Sequence, residues 1–195
     1  ASSQGSAAVV GGGLVNAALA SQTIGSIIRP AAYCGCIGVK PTWGITDVKG
    51  SMPLSSPLDH AGFITENPEI TKVMYNILAP DLTRVSKEGV EDILIIEPWY
   101  SEATIPDVLN AVETAGNNLK EAGHKIDRVK IPDWISKTEG ETLDTILAFG
   151  MAHHHGKDYD MNKPLMSERI CDYIERGRQL TEQDYQAAMD QRQAM

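Results

Sequence analysis

The sequence predicts an α/β fold, and three observations predict it. Residues 92–131 read as strand, helix, strand; short apolar segments alternate with small-residue helical stretches over the first 65 residues; and the last third keeps helical spacing. With 195 residues, 42% hydrophobic and 22% charged, the chain is globular in composition and long enough for one real core or two small ones. A net charge of −9 and a pI of about 5.0 argue against nucleic acid or an anionic membrane surface as the main partner. No apolar run approaches the length needed to span a bilayer. Cys34, Cys36 and Cys171 have neither metal-ligand nor redox spacing, and an odd count suits a reducing, cytoplasmic setting.

Taken in order, Ser6 to Leu14 is small and apolar, which predicts a closely packed helix ended by Gly11, Gly12 and Gly13. Those glycines lack the following Lys-Ser/Thr of a phosphate-binding loop. Leu14 to Ala20 reads as a short buried strand delivering the chain to a turn at Ser26. From Ser21 to Gly35 a serine on a tight turn precedes a short helix, a setting that exposes one hydroxyl and aims neighbouring N–H groups at one point. The same residues also fit a plain Ser N-cap before a Pro-containing helix. Ile37 to Thr42 reads as a strand stopped by Pro41. Lys40, although close to Ser26 in sequence, reads as a strand-end lysine bonding backbone or reaching solvent, because nothing adjacent would desolvate it. Residues 43–66 carry Gly50, Pro53, Pro57 and Gly62 and predict a long ordered loop.

Asn67-Pro68-Glu69 starts a helix with an N-cap, a first-turn proline and an acid at the positive end. Its face of Ile70, Val73, Met74, Ile77 and Leu78 is expected to pack as core, and Pro80 to close it. The polar stretch 81–92 is a soft boundary, dividing 1–82, a core with both serine turns, from 83–195, an α/β-to-helical continuation of the same domain. Asp92 to Glu97 reads as a buried strand, Pro106 to Ala122 as a helix with Gly123 at C′, and Lys125 to Ile131 as the returning strand. Leu143, Ile146, Leu147 and Gly150 share a helical face, Ser167 to Arg176 forms a helix ended by Gly177, and Thr181 to Asp184 opens another with a capping-box pattern. Consecutive histidines on a helix point in different directions, so His153, His154 and His155 read as a solvated helix end rather than a metal site.

Two serine-rich turns, Ser2-Ser3-Gln4-Gly5-Ser6 and Thr23-Ile24-Gly25-Ser26, flank a small-residue helix and a short strand. With Pro30 to Gly35, Gly38 to Thr42, Pro53-Leu54-Ser55 and Leu58 to Gly62, they closely resemble the amidase signature family over roughly the first 65 residues. Beyond 81 the resemblance rests on general layout and on Gly177 and Tyr185 to Ala188. It implies part of a mixed β-sheet core flanked by helices, and a Ser-cisSer-Lys amidohydrolase acting through an acyl-enzyme.

On matching positions Ser26 would be the nucleophile, and Ser2 the serine after a cis peptide, Ala1–Ser2, that relays the proton. The backbone N–H groups of Thr23, Ile24, Gly25 and Ser26 would form the oxyanion hole, with Ser3 as a supporting hydrogen-bond partner. The implied substrate is a small-molecule amide, with no cofactor, metal, nucleic acid or membrane, and the resemblance leaves room for a homodimer of the intact protein.

The catalytic lysine of the family lies upstream of the first serine turn, so the chain is read as an internal piece, inactive by itself, and cut at its C-terminal end too. Many members have Asp where Gln22 stands and Gly where Ile24 stands, and Arg29 sits one place late, a pattern nearer to small-molecule amidases than to amidotransferases. A β-branched Ile24 would impair the hole if its turn required positive φ. The alternatives are a catalytically degenerate scaffold that serves as a binding protein, and a protein like the A chain of an amidotransferase.

Overall fold

The computed structural model describes residues 2–79, 92–97 and 104–195. It is a mixed α/β structure, as the sequence predicts, with small sheets flanked by helices. The chain forms two compact units, Ala1–Leu82 with Leu143–Gln191, and Thr83–Thr142 with Arg192–Met195.

The first unit is built on an antiparallel sheet in the order β1 (Ala17–Gln22), β3 (His60–Thr65), β2 (Ile37–Val39). The central strand falls inside the expected long loop. Turn residues before it and Gly62 within it hid the strand, but Phe63, Ile64 and Thr65 are wholly buried. Gly62 is there because a Cβ would collide with the Val39 carbonyl and with Ile27 Cδ1. β1 starts three residues later than expected, at Ala17, and Leu14 is exposed before it, because α1 (Gln4–Gly11) and its glycine turn use up the residues between.

Ala7 and Val10 of α1, Ile27, Ala31 of α2 (Ile28–Tyr33) and Ile64 make one core cluster. α3 (Pro68–Leu78) begins as expected: Asn67 Oδ1 accepts the Ile70 N–H at 2.9 Å, with Pro68 in the first turn. Its apolar face is not core, however. Val73 and Ile77 are 53% and 65% exposed, because only part of the stripe meets β3 and β2. The expected stop at Pro80 and the boundary over 81–91 lie outside the described residues.

α5 (Asp133–Asn162) brings Ile146, Leu147 and Met151 to the first unit, where a 3₁₀ turn (Lys163–Leu165), α6 (Glu168–Gly177) and α7 (Glu182–Ala194) complete two further clusters. α7 opens on the expected reciprocal cap, Asp184 N to Thr181 Oγ1 and Thr181 N to Asp184 Oδ2, at 3.2 and 2.8 Å.

The second unit contains the expected strand-helix-strand unit: β4 (Asp92–Glu97) pairs parallel with β5 (Lys125–Lys130) across α4 (Pro106–Glu121). Gly123, at φ 95°, follows the helix. β4 alternates between exposed and half-buried positions instead of being buried, since α4 packs on one face of it, with Ile95 against Gly116, and its other face is exposed.

Candidate active site

The residues singled out in the sequence gather at the end of β1. After Gln22 the chain turns through Thr23–Ile27 and enters α2 at Ile28. Gln22 is only 7% exposed, and its amide braces this turn from within. Oε1 accepts the N–H groups of Ile27 and Ile28 at 2.8 and 3.1 Å, while Nε2 donates to the Ile24 carbonyl at 3.1 Å. The acceptor end satisfies two orphan donors of the helix start, and the donor end fixes the peptide between Ile24 and Gly25. A carboxylate here could do the first and not the second.

The consequence concerns the residues in between. None of the backbone N–H groups of Thr23, Ile24, Gly25 and Ser26 finds a protein acceptor among the described residues. Four consecutive donors are thus left open, followed by two that Gln22 engages. Ile24 is not strained by the turn: among the described residues Ser3 is the one non-glycine with positive φ, at 50°. The positive-φ conformation that a β-branched Ile24 would resist is therefore not adopted there.

Ser26 is half-buried on the turn, and its hydroxyl makes no hydrogen bond among the described residues. Ser3, the N-cap of α1, donates from Oγ to the Ser21 carbonyl at 3.1 Å and so ties the first serine turn to the end of β1. Ser6 repeats the tie to Leu19 O at 2.8 Å. Ser2 is half-buried and lines a groove of about 600 Å³ with Gln4, Arg29, Pro30, Tyr33 and Arg169. The structure thus brings both serine turns to one end of β1, but Ser2 and Ser26 are not hydrogen-bonded to one another. The Ala1–Ser2 peptide lies outside the described residues. Lys40 donates to the Pro41 carbonyl at 2.8 Å, as a strand-end lysine should.

Two residues that shape the site carry no role in the sequence reading, Gln22 and Asp59. Asp59 Oδ1 accepts from Thr23 Oγ1 at 2.7 Å, and Oδ2 accepts the N–H groups of Leu54 and Ser55, each at 2.9 Å. The signal was present: an acid closing a Pro- and Ser-rich turn commonly caps backbone donors a few residues upstream.

The loop so closed is held down by α5. Buried Ser55 donates to Ile146 O at 3.0 Å against Gly150, where a Cβ would strike Ser55. His154 Nε2 meets Ser56 Oγ at 3.0 Å, and His155 Nε2 meets Pro53 O at 2.6 Å. The three histidines therefore sit inside a long helix, two of them on loop partners, rather than at a solvated end. Burial pushes the His154 imidazole below its usual range, and neighbouring His153 and His155 add to that while Asp59 opposes it. Among the described residues, no group of three His, Cys, Asp or Glu side chains could hold a metal ion. Nor is any helix among them long and apolar enough to cross a membrane.

An α/β core whose first strand ends in a serine turn of open N–H groups defines the class. The chain belongs to the amidase family, whose sequence profile matches residues 1–194. Among curated proteins it is 41% identical over 140 residues to the A chain of the glutamyl-tRNA(Gln) amidotransferase of Aliarcobacter butzleri, covering 64% of this chain and 31% of that protein. The same-named protein of Sulfurimonas denitrificans is 39% identical over 145 residues, 68% of this chain and 32% of that protein. The chain thus spans about a third of the length of the curated relatives it matches. Among solved structures, an amidase superposes with a TM-score of 0.87 at 25% identity, over 97% of this chain and 43% of that one. The allophanate hydrolase of Kluyveromyces lactis shares the fold, with a TM-score of 0.72 at 24% identity over 97% of this chain and 33% of that one.

Proposed function

We propose that the whole protein is an amidohydrolase that cleaves a carbon–nitrogen amide bond through an acyl-enzyme on Ser26. The observation that carries this reading is the run of four open N–H groups at Thr23–Ser26, beside a serine hydroxyl that is equally uncommitted. Ser26 Oγ attacks the amide carbon and gives its proton to Ser2, which passes it toward a lysine upstream of residue 1. The carbonyl oxygen becomes an oxyanion held by the open donors, and losing one such donor typically costs about 2.7–4 kcal/mol of transition-state stabilisation. The same relay returns the proton to the nitrogen as the C–N bond breaks, so that an amine leaves rather than an amide anion. Water then hydrolyses the ester and restores Ser26. Ser3 supports the relay by fixing its turn on Ser21. The reaction needs no metal or cofactor, and the proposed setting is cytoplasmic, with a small-molecule amide as substrate and a homodimer as the assembly.

A fluorophosphonate probe tests this on the full-length protein. Labelling that Ser26→Ala abolishes supports the hydrolase, whereas an unlabelled wild type points to a scaffold that has lost the chemistry. The residues 1–195 alone are expected to be inactive, which an amide-hydrolysis assay on that piece checks. A second reading is favoured by one finding, the 39–41% identity to the A chains of amidotransferases. It requires partner proteins to co-purify and turnover to depend on tRNA.

A further inference from the structure

We propose that Asp59 is the positioning residue of the oxyanion turn, acting through the Thr23 hydroxyl; this rests on the Ser26 hydrolase reading. The open donors begin at Thr23 and end at Ser26, and each end needs an anchor. Gln22 anchors the far end, since it engages the two N–H groups that follow Ser26. At the near end, the side chain of Thr23 has one partner, Asp59 Oδ1 at 2.7 Å.

Asp59 is itself fixed from elsewhere. Its second oxygen takes two backbone donors, Leu54 N and Ser55 N, and its own N–H donates to Ser55 O at 3.0 Å. Ser55 is fully buried and bonded to the backbone of α5, and Leu58 packs against Ile146. No cation pairs with Asp59 among the described residues, so the carboxylate is directed to three neutral donors. The Thr23 rotamer is thereby referred to α5 through a chain of hydrogen bonds rather than to solvent. Ser21, Thr23, Leu54, Ser56, Asp59 and His60 also line a cavity of about 50 Å³ on the Thr23 side of the turn, so Asp59 meets the turn at its near end. A donor whose peptide plane can rock loses much of its value to an oxyanion, because electrostatic stabilisation depends on orientation set in advance.

The experiment measures kcat, KM and Tm for full-length wild type, Thr23→Val, Thr23→Ser, Asp59→Asn and the Thr23→Val/Asp59→Asn double variant. Thr23→Val removes the hydroxyl alone and leaves Asp59 bonded to its loop. The expected result is that Thr23→Val and Asp59→Asn each lower kcat at least about tenfold with KM nearly unchanged. The double variant should be no slower than the worse single one, and Thr23→Ser should recover most of the rate. If Thr23→Val keeps wild-type kcat while Asp59→Asn only lowers Tm, Asp59 is a loop brace and the proposal is overturned. Failure of the underlying reading looks different: Ser26→Ala would then retain activity.

Discussion

The sheets of the two units are built to opposite rules. In the first unit, β3 lies between two partners, with Phe63, Ile64 and Thr65 wholly buried, and the turn that carries Ser26 springs from its neighbour β1. In the second unit, β4 and β5 are partnered on one edge each among the described residues, and Leu94 and Ile96 are 59% and 51% exposed. Ion pairs between exposed side chains decorate that ladder: Lys125 with Asp92 and Asp127, Lys130 with Glu97, and Arg128 bidentate with Glu113 on α4. Exposed pairs of this kind add little stability. The difference teaches where rigidity is concentrated: the sheet from which the proposed oxyanion turn springs is the one whose central strand is buried.

The contrast should break first at Ile64. It is fully buried with Ala7, Val10, Ile27 and Ala31, and Ile64→Ala should destabilise the first unit by about 2–5 kcal/mol. Chemical denaturation measures this, and a loss below about 1 kcal/mol would remove the claim that this sheet is the rigid one. Gln22→Ala comes next. It strands the buried N–H of Ile27, which costs about 1–3 kcal/mol, leaves the part-buried N–H of Ile28 without its partner, and releases the Ile24 peptide. Probe labelling at Ser26 should slow more than stability alone explains. Equal labelling in folded Gln22→Ala would show that the clamp is irrelevant to the turn.

How much of this was legible followed from the kind of signal each unit carries. Periodicity found the strand-helix-strand unit of the second, down to Gly123, because α4 keeps a regular apolar spacing and its strands lie beside turn residues. It missed β3, because a six-residue buried strand containing Gly62 has no alternation to find and follows a stretch rich in prolines. In the first unit the motifs did the work: they placed Ser26, Ser2 and Ser3 near one strand end, yet could not show that Gln22 donates as well as accepts, or that Asp59 reaches Thr23 across 36 positions. Both are facts of tertiary packing, since each depends on which backbone groups a fold leaves without partners. Burial was misjudged in the same way for α3 and β4, whose apolar stripes are regular but only partly covered.

A smaller effect sharpens the comparison through pH. His154 is held neutral by burial and by its neighbours His153 and His155, against the pull of Asp59, so its folded-state pKa lies below the usual 6.5. As pH falls through 6.5 the unfolded chain takes up the proton first, so the unfolded state binds more protons and stability drops. The drop is complete once pH passes below the folded value. Because His154 bonds Ser56 in the loop closed by Asp59, the loss is felt in the first unit. Thermal melts run near neutral pH and again about two pH units lower should show a fall in Tm that is smaller for His154→Gln. An identical fall in both proteins would assign the pH dependence to other groups.

The smallest effect belongs to the second sheet. Leu94 sits on the open side of β4, so truncating it removes little area that folding had taken from water and leaves no enclosed cavity. Leu94→Ala should change stability by no more than about 0.5 kcal/mol, the range of ordinary surface substitutions. The same truncation at Ile95, whose Cδ1 stands where a Cβ on Gly116 of α4 would fall, should cost more, because that face of the strand is covered by the helix. The ratio of these two losses measures how one-sided the sheet is, and two equal losses would mean that both faces of β4 are covered in the whole protein.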